Sequence, residues 1–158
     1  MDKREIKDLL DLKYSQFNNP DFIETDPISI PHLFSKKEDI EIAGFFAATI
    51  AWGQRVTILK NARLLMTWME DEPYDFILNA TKSDLTRFKK FVHRTFNGED
   101  AVFFINALQT IYKDHGGLEK AMSQFPNDLG KNISHFKELF LATGNTSRTG
   151  KHVDGRPC

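Results

Sequence analysis

Apolar residues recur along this chain at spacings of three and four, not two, and that period predicts helices nearly from end to end. Ile6, Leu9, Leu10, Tyr14 and Phe17 mark one face of an amphipathic helix predicted over Lys3 to Phe17, with Lys7, Asp8 and Asp11 elsewhere on it. Asn18-Asn19-Pro20 ends that helix. Asp26-Pro27 and Ile30-Pro31 follow, and each proline disfavours helix at the residue before it. Residues 18–34 are therefore expected to form a long loop resting on the core through Phe22, Ile28 and Phe34.

Ser35 followed by Glu38 has the spacing of a capping box, which predicts a helix start there. The run from Ile42 to Trp52 is apolar on every side and predicts the central buried helix, with Gly53 placed to leave it in a left-handed conformation. A second helix is predicted from Val56 to Met69, antiparallel to the first across a tight turn at Gly53-Gln54-Arg55. Pro73 suits the first turn of a helix carrying Phe76, Ile77 and Leu78, and Ser83 is a candidate cap for a short helix carrying Leu85, Phe88 and Phe91. Asn97-Gly98 reads as a breaker. Further helices are predicted over Asp100–His115, ending at Gly116-Gly117, over Leu118–Phe125 and over Leu129–Leu141. No strand of useful length is expected. The fold class is thus an all-α bundle of about seven helices in one domain, residues 1–142. Residues 143–158 lack periodicity and are expected to be a flexible polar tail, truncated from a longer protein.

Composition supports a packed globule: 41% of the residues are hydrophobic, and fourteen Phe stand against three Tyr and two Trp, so the interior should be rich in phenylalanine. The start is charged and lacks the apolar stretch of a secretory signal, and the lone cysteine, Cys158, has no internal partner, which together favour a cytoplasmic setting. The longest uncharged run, residues 42–54, has thirteen residues, short of the ~20 that cross a bilayer, so no membrane span is expected. Net charge is −1 but unevenly spread. Residues 42–69 carry three cations and no acid, and residues 82–98 carry five cations and one acid.

Those two basic stretches hold the candidate chemistry. Arg55, Lys60 and Arg63 fall within an arc of about 140° on one helix face beside a polar turn, an arrangement that can hold phosphates or be a merely solvated face. Lys82, Arg87, Lys89, Lys90, His93 and Arg94 alternate with Phe88 and Phe91, which suits base stacking if the rings are exposed and core packing if they are not. Arg148, Lys151, His152 and Arg156 are scattered in the tail. The five histidines share no ligand spacing, and no cofactor or metal is expected. The acids Glu70, Asp71, Glu72 and Asp75 read as helix capping and solvation.

The run Lys37-Glu38-Asp39-Ile40-Glu41-Ile42-Ala43-Gly44-Phe45-Phe46-Ala47-Ala48-Thr49-Ile50-Ala51-Trp52-Gly53-Gln54-Arg55 closely resembles a bacterial family known only as a domain of unknown function, number twenty-four hundred. Ile30-Pro31-His32, Phe91 to Asn97 and His115 to Glu119 match it too, so the resemblance covers most of Ile28 to Leu141. Members of that family look longer, which implies that this chain is an amino-terminal part. Asp154 to Cys158 departs from the pattern.

More distantly, Glu41 to Arg55 is similar to the helix and turn of the helix-hairpin-helix DNA glycosylases, where a turn glutamine wedges into DNA beside an extruded base. Gln54 would inherit that role, whereas Trp52 replaces the usual serine; no catalytic residue can be carried over. The resemblance implies a DNA-handling parent protein in which Gln54, Arg55, Lys60, Arg63, His93, Arg94, Arg148 and Lys151 supply part of the binding face. The competing expectation is a non-enzymatic helical module that docks a protein partner or a missing carboxy-terminal half.

Overall fold

A computed structural model describes residues 2–144, which form eight α-helices, three 3₁₀ segments and one small hairpin. Helix α1 (Lys3–Phe17) has the bounds predicted from its period. Asp2 accepts from the amides of Arg4 and Glu5 while Glu5 reaches back to the Asp2 amide, a complete capping box. Yet no residue of α1 is buried, and Leu10 and Tyr14 are 61% and 68% exposed.

The loop expected over residues 18–34 instead winds into α2 (Pro20–Thr25) and two 3₁₀ turns, Pro27–Ser29 and Pro31–Leu33. The prolines that forbid a continuous helix each begin a short one, because at a first helical position the missing N–H is no loss. Asn19 and Asp26 help by accepting from the amides of Phe22 and Ile28. Phe34 packs on the core as expected, whereas the half-buried Phe22 packs on Phe17 of α1, and Ile28 is exposed while the nearby Ile30 is the buried residue.

The expected Ser35 box does not form. Helix α3 (Lys37–Thr49) starts after Lys36 with no side-chain cap, and the buried carboxylate in its first turn, Asp39, accepts from the backbone N–H of Tyr74 at 2.8 Å. Ile42, Ala43, Phe46, Ala47 and Ile50 are buried, so the run apolar on all sides is the central helix. It ends at Thr49, three residues before the predicted end at Trp52. Helix α4 (Arg55–Trp68) follows with Ile58, Ala62, Leu65 and Met66 inward, then α5 (Pro73–Asn79).

The short helix predicted around Leu85 is a 3₁₀ segment, Asp84–Lys90, without a Ser83 cap. Thr81 donates to Asp84 from its amide and its hydroxyl instead. Strands β1 (Val92–His93) and β2 (Phe96–Asn97) pair antiparallel, an element the sequence did not suggest. Asn97-Gly98 is not a breaker but the start of the long helix α6 (Gly98–Asp114): Asn97 accepts from the amides of Glu99 and Asp100, and Asp100 reaches back. Gly116 and Gly117, both at positive φ, lead into α7 (Leu118–Ala121), four residues shorter than predicted. Buried Asn132 of α8 (Leu129–Ala142) bonds both backbone groups of Phe125 and so fixes the intervening segment.

The core is built on phenylalanine. The Phe104 ring lies 5.1 Å from Phe96, 5.6 Å from Phe45 and 4.8 Å from Phe140, joining α3, α6, α8 and the hairpin. Among the described residues no helix is long and apolar enough to cross a membrane.

Candidate nucleic-acid interface

The early end of α3 has a tertiary cause. The carbonyl of Trp52 accepts from His93 Nε2 at 3.1 Å, while Asn61 Nδ2 of α4 reaches His93 Nδ1 at 2.9 Å and the Val92 carbonyl at 3.4 Å. An amide N–H only donates and a carbonyl only accepts, so His93 carries its hydrogen on Nε2. The ring is 2% exposed. It therefore stitches the α3–α4 turn to the hairpin, and Trp52 lies against it at 5.9 Å.

His93→Ala is expected to leave Asn61 and Trp52 without these partners inside the protein and to cost about 1–3 kcal/mol. His93→Gln, which keeps a donor and an acceptor, should recover part of the loss in urea unfolding. A stability unchanged in His93→Ala would show that the stitch contributes nothing.

The next residue, Arg94, takes φ +55 at the tip of the two-residue loop, whereas Thr95 does not have positive φ. That is the pattern of a type II′ turn, whose first central position favours glycine, so a backbone cost is accepted to put arginine there. Its side chain lies on Gly53. A Cβ at Gly53 would sit 3.1 Å from Arg94 Nη1, and Gly53 itself has φ +114, so the close approach requires glycine twice over.

Beyond Gly53, the exposed Gln54 begins α4 without its side chain acting as a cap, and no acid stands in the first turn. The first amides of a helix are unsatisfied by its own carbonyls and carry the positive end of its dipole. Arg55 adds a full charge. It is 54% exposed and 3.9 Å from Asp26, a loose pair with an acid of the proline-rich segment. Lys60 and Arg63 continue the cationic character outward along exposed positions of α4.

Three of the expected residues, Gln54, Arg55 and Arg94, thus converge on one turn, and Lys60 and Arg63 extend it. His93 belongs to the same place but points inward, so its role there is to hold the turn. Arg148 and Lys151 lie outside the described residues. The basic and aromatic alternation of residues 82–94 dissolves: Phe88 and Phe91 are buried, and Arg87 turns to Glu70 at 2.8 Å and over the Phe76 ring. Asn61 and Asp26 were not singled out by the sequence. Asp26 was visible only as a turn residue before proline, and nothing local marks Asn61.

A second polar cluster joins α3, α6 and α7. Tyr112 donates to Glu41 at 2.8 Å, and Lys37 pairs with Glu119. Burial, and then the hydrogen bond to Glu41, push the Tyr112 hydroxyl far above the usual tyrosine range, so it stays a donor in a structural contact. Among the described residues no three His, Cys, Asp or Glu side chains gather as a metal site.

No curated protein and no solved structure matches the chain. A family model matches residues 26–156, which include the turn, the hairpin and every helix from α3 to α8. The chain therefore belongs to the family described as protein of unknown function (DUF2400).

Proposed function

We propose that this chain is part of a bacterial, cytoplasmic DNA-handling protein and that the turn at Gly53–Arg55, with the hairpin tip at Arg94, is a contact surface for the phosphate backbone. The observation that carries the reading is the convergence of two cations from separate elements on an uncapped helix start whose own first turn carries no acid, with Asp26 only loosely paired to Arg55. Backbone amides and arginines positioned together bind phosphate oxygens through charge-assisted hydrogen bonds. Exposed Gln54 precedes Arg55 in the same turn, where it can enter a duplex beside a displaced base, as in the base-excision glycosylases that this turn resembles.

The test is a duplex titration over a range of salt. Arg55→Ala and Arg94→Ala should each weaken binding to every duplex alike and reduce the salt slope by about one phosphate contact. Gln54→Ala should weaken binding to a duplex with an abasic site by about 1–3 kcal/mol and leave intact duplex nearly unchanged. If none of the three alters binding, the DNA reading is wrong.

One observation favours the alternative of a protein-interaction module: α1 presents Ile6, Leu9, Leu10, Tyr14 and Phe17, one face of the helix, to solvent, and apolar faces left exposed in this way mark interaction sites. That reading gains if substitutions on α1, and not at the turn, abolish capture of a partner.

A further inference from the structure

Behind the Gly53–Arg55 turn a half-open cleft of 490 Å³ runs between α3 and the segment that starts at Asp26. Pockets for small organic ligands fall in the range of about 300–1,000 Å³. The wall formed by α3 and the residue Ala51 just beyond it is flat, since Gly44, Ala48 and Ala51 give it nothing larger than a methyl group. Packing does not impose that flatness. A Cβ on Gly44 would meet only Pro31, at an ordinary 3.8 Å, although glycine inside a helix costs about 1 kcal/mol relative to alanine. Ala48 and Ala51 are exposed, so nothing limits their size from outside.

The rim is polar and of mixed charge. Asp26 Oδ1 is held by the Ile28 amide at 3.0 Å, whereas Oδ2 stands 3.9 Å from Arg55 Nη2, beyond hydrogen-bond length. One carboxylate oxygen is therefore available as an acceptor. The guanidinium has five N–H donors, of which Asp26 engages at most one side.

A flat apolar slot suits a planar ring, the carboxylate suits an N–H donor on that ring's edge, and the arginine suits an anion attached to it. We propose that this cleft binds a single nucleotide, with its base against the Gly44–Ala51 wall, an exocyclic amino group on Asp26 and its phosphate on Arg55. The nucleotide comes either free or as an unpaired unit of a strand crossing the turn. The second source rests on the DNA reading, because Arg55 is common to both sites.

The experiment titrates the chain with adenosine 5′-monophosphate, with ribose 5-phosphate, with a duplex holding one unpaired adenosine and with the intact duplex. Ala48→Leu is the blocking variant, because its exposed position tolerates a larger side chain, and its thermal unfolding should match wild type. Asp26→Asn is the second variant, since it keeps the oxygen that accepts from Ile28. The wild type should bind adenosine 5′-monophosphate at least tenfold more tightly than ribose 5-phosphate, and both variants should weaken the former at least tenfold.

If the source is a strand, Ala48→Leu should also abolish the preference for the unpaired adenosine while leaving the intact duplex unchanged. Binding of the free nucleotide without binding of either duplex would support the cleft and overturn the DNA reading. Binding of both duplexes alike, with no response to adenosine 5′-monophosphate, would overturn the cleft and leave the DNA reading standing. No binding of any probe would overturn both.

Discussion

Phe104→Ala is expected to lower the unfolding free energy by about 3–5 kcal/mol, measured by urea denaturation. The ring is fully buried and touches Phe45 and Phe46 of α3, Phe96 of β2 and Phe140 of α8, so truncation opens a cavity shared by four elements. No single neighbour can collapse into it without abandoning another contact. Because domains of this size are stable by only about 5–15 kcal/mol, the loss is a large share of the total and should shift the midpoint well to lower denaturant. Phe103→Ala is the comparison: that ring is only half-buried beside the same cluster, and its loss should be clearly smaller. Equal effects would mean that Phe104 is not the hub of the core.

Gly98→Ala is the second large effect, and its sign runs against helix propensity. In most helices the exchange of glycine for alanine stabilises by about 0.4–1 kcal/mol, by restricting the unfolded chain. At position 98 a Cβ would fall 2.2 Å from the Lys89 carbonyl oxygen and 2.6 Å from its Cα. These are backbone atoms, so no rotamer change relieves the overlap; α6 must move off the 3₁₀ segment and take Phe96 and Phe104 with it. A loss of about 3 kcal/mol or more is expected, at the upper end of overpacking effects. Gly130→Ala in α8 is the internal control. A Cβ there meets only Asp128 Oδ1 at 3.6 Å, so that exchange should leave the protein as stable or more so. If Gly98→Ala stabilises to the same degree, the close approach of α6 to Lys89 is absent in solution.

The legibility of the candidate site followed the same division between local and tertiary causes. The cations Arg55, Lys60 and Arg63 were readable because they share one helix face, which needs only the helical period. Arg94 was readable as a charge but not as a neighbour of Gly53, because forty-one residues separate them and only the hairpin brings them together. Sequence proximity alone places His93 among the surface cations. In the fold it is a buried partner of Asn61 and Trp52, since alternation along β1 turns Val92 outward and His93 inward.

What the sequence determined by itself was the set of helices whose causes are local. Apolar period, Pro73 at a first helical position and the paired glycines at 116 and 117 placed α1, α3 to α5 and the end of α6 to within a few residues, and they set the all-α class. Tertiary structure decided which of those faces is covered: α1, with a clear amphipathic pattern, stays exposed, while α3, apolar all round, becomes the centre. It also decided where local signals compete. Asn97-Gly98 can end one element or start another, and it starts α6 because the hairpin delivers Asn97 as a cap and the Lys89 carbonyl leaves room only for glycine. The 52–55 turn owes its position to a histidine far along the chain, and a contact of that kind has no period for a sequence to carry.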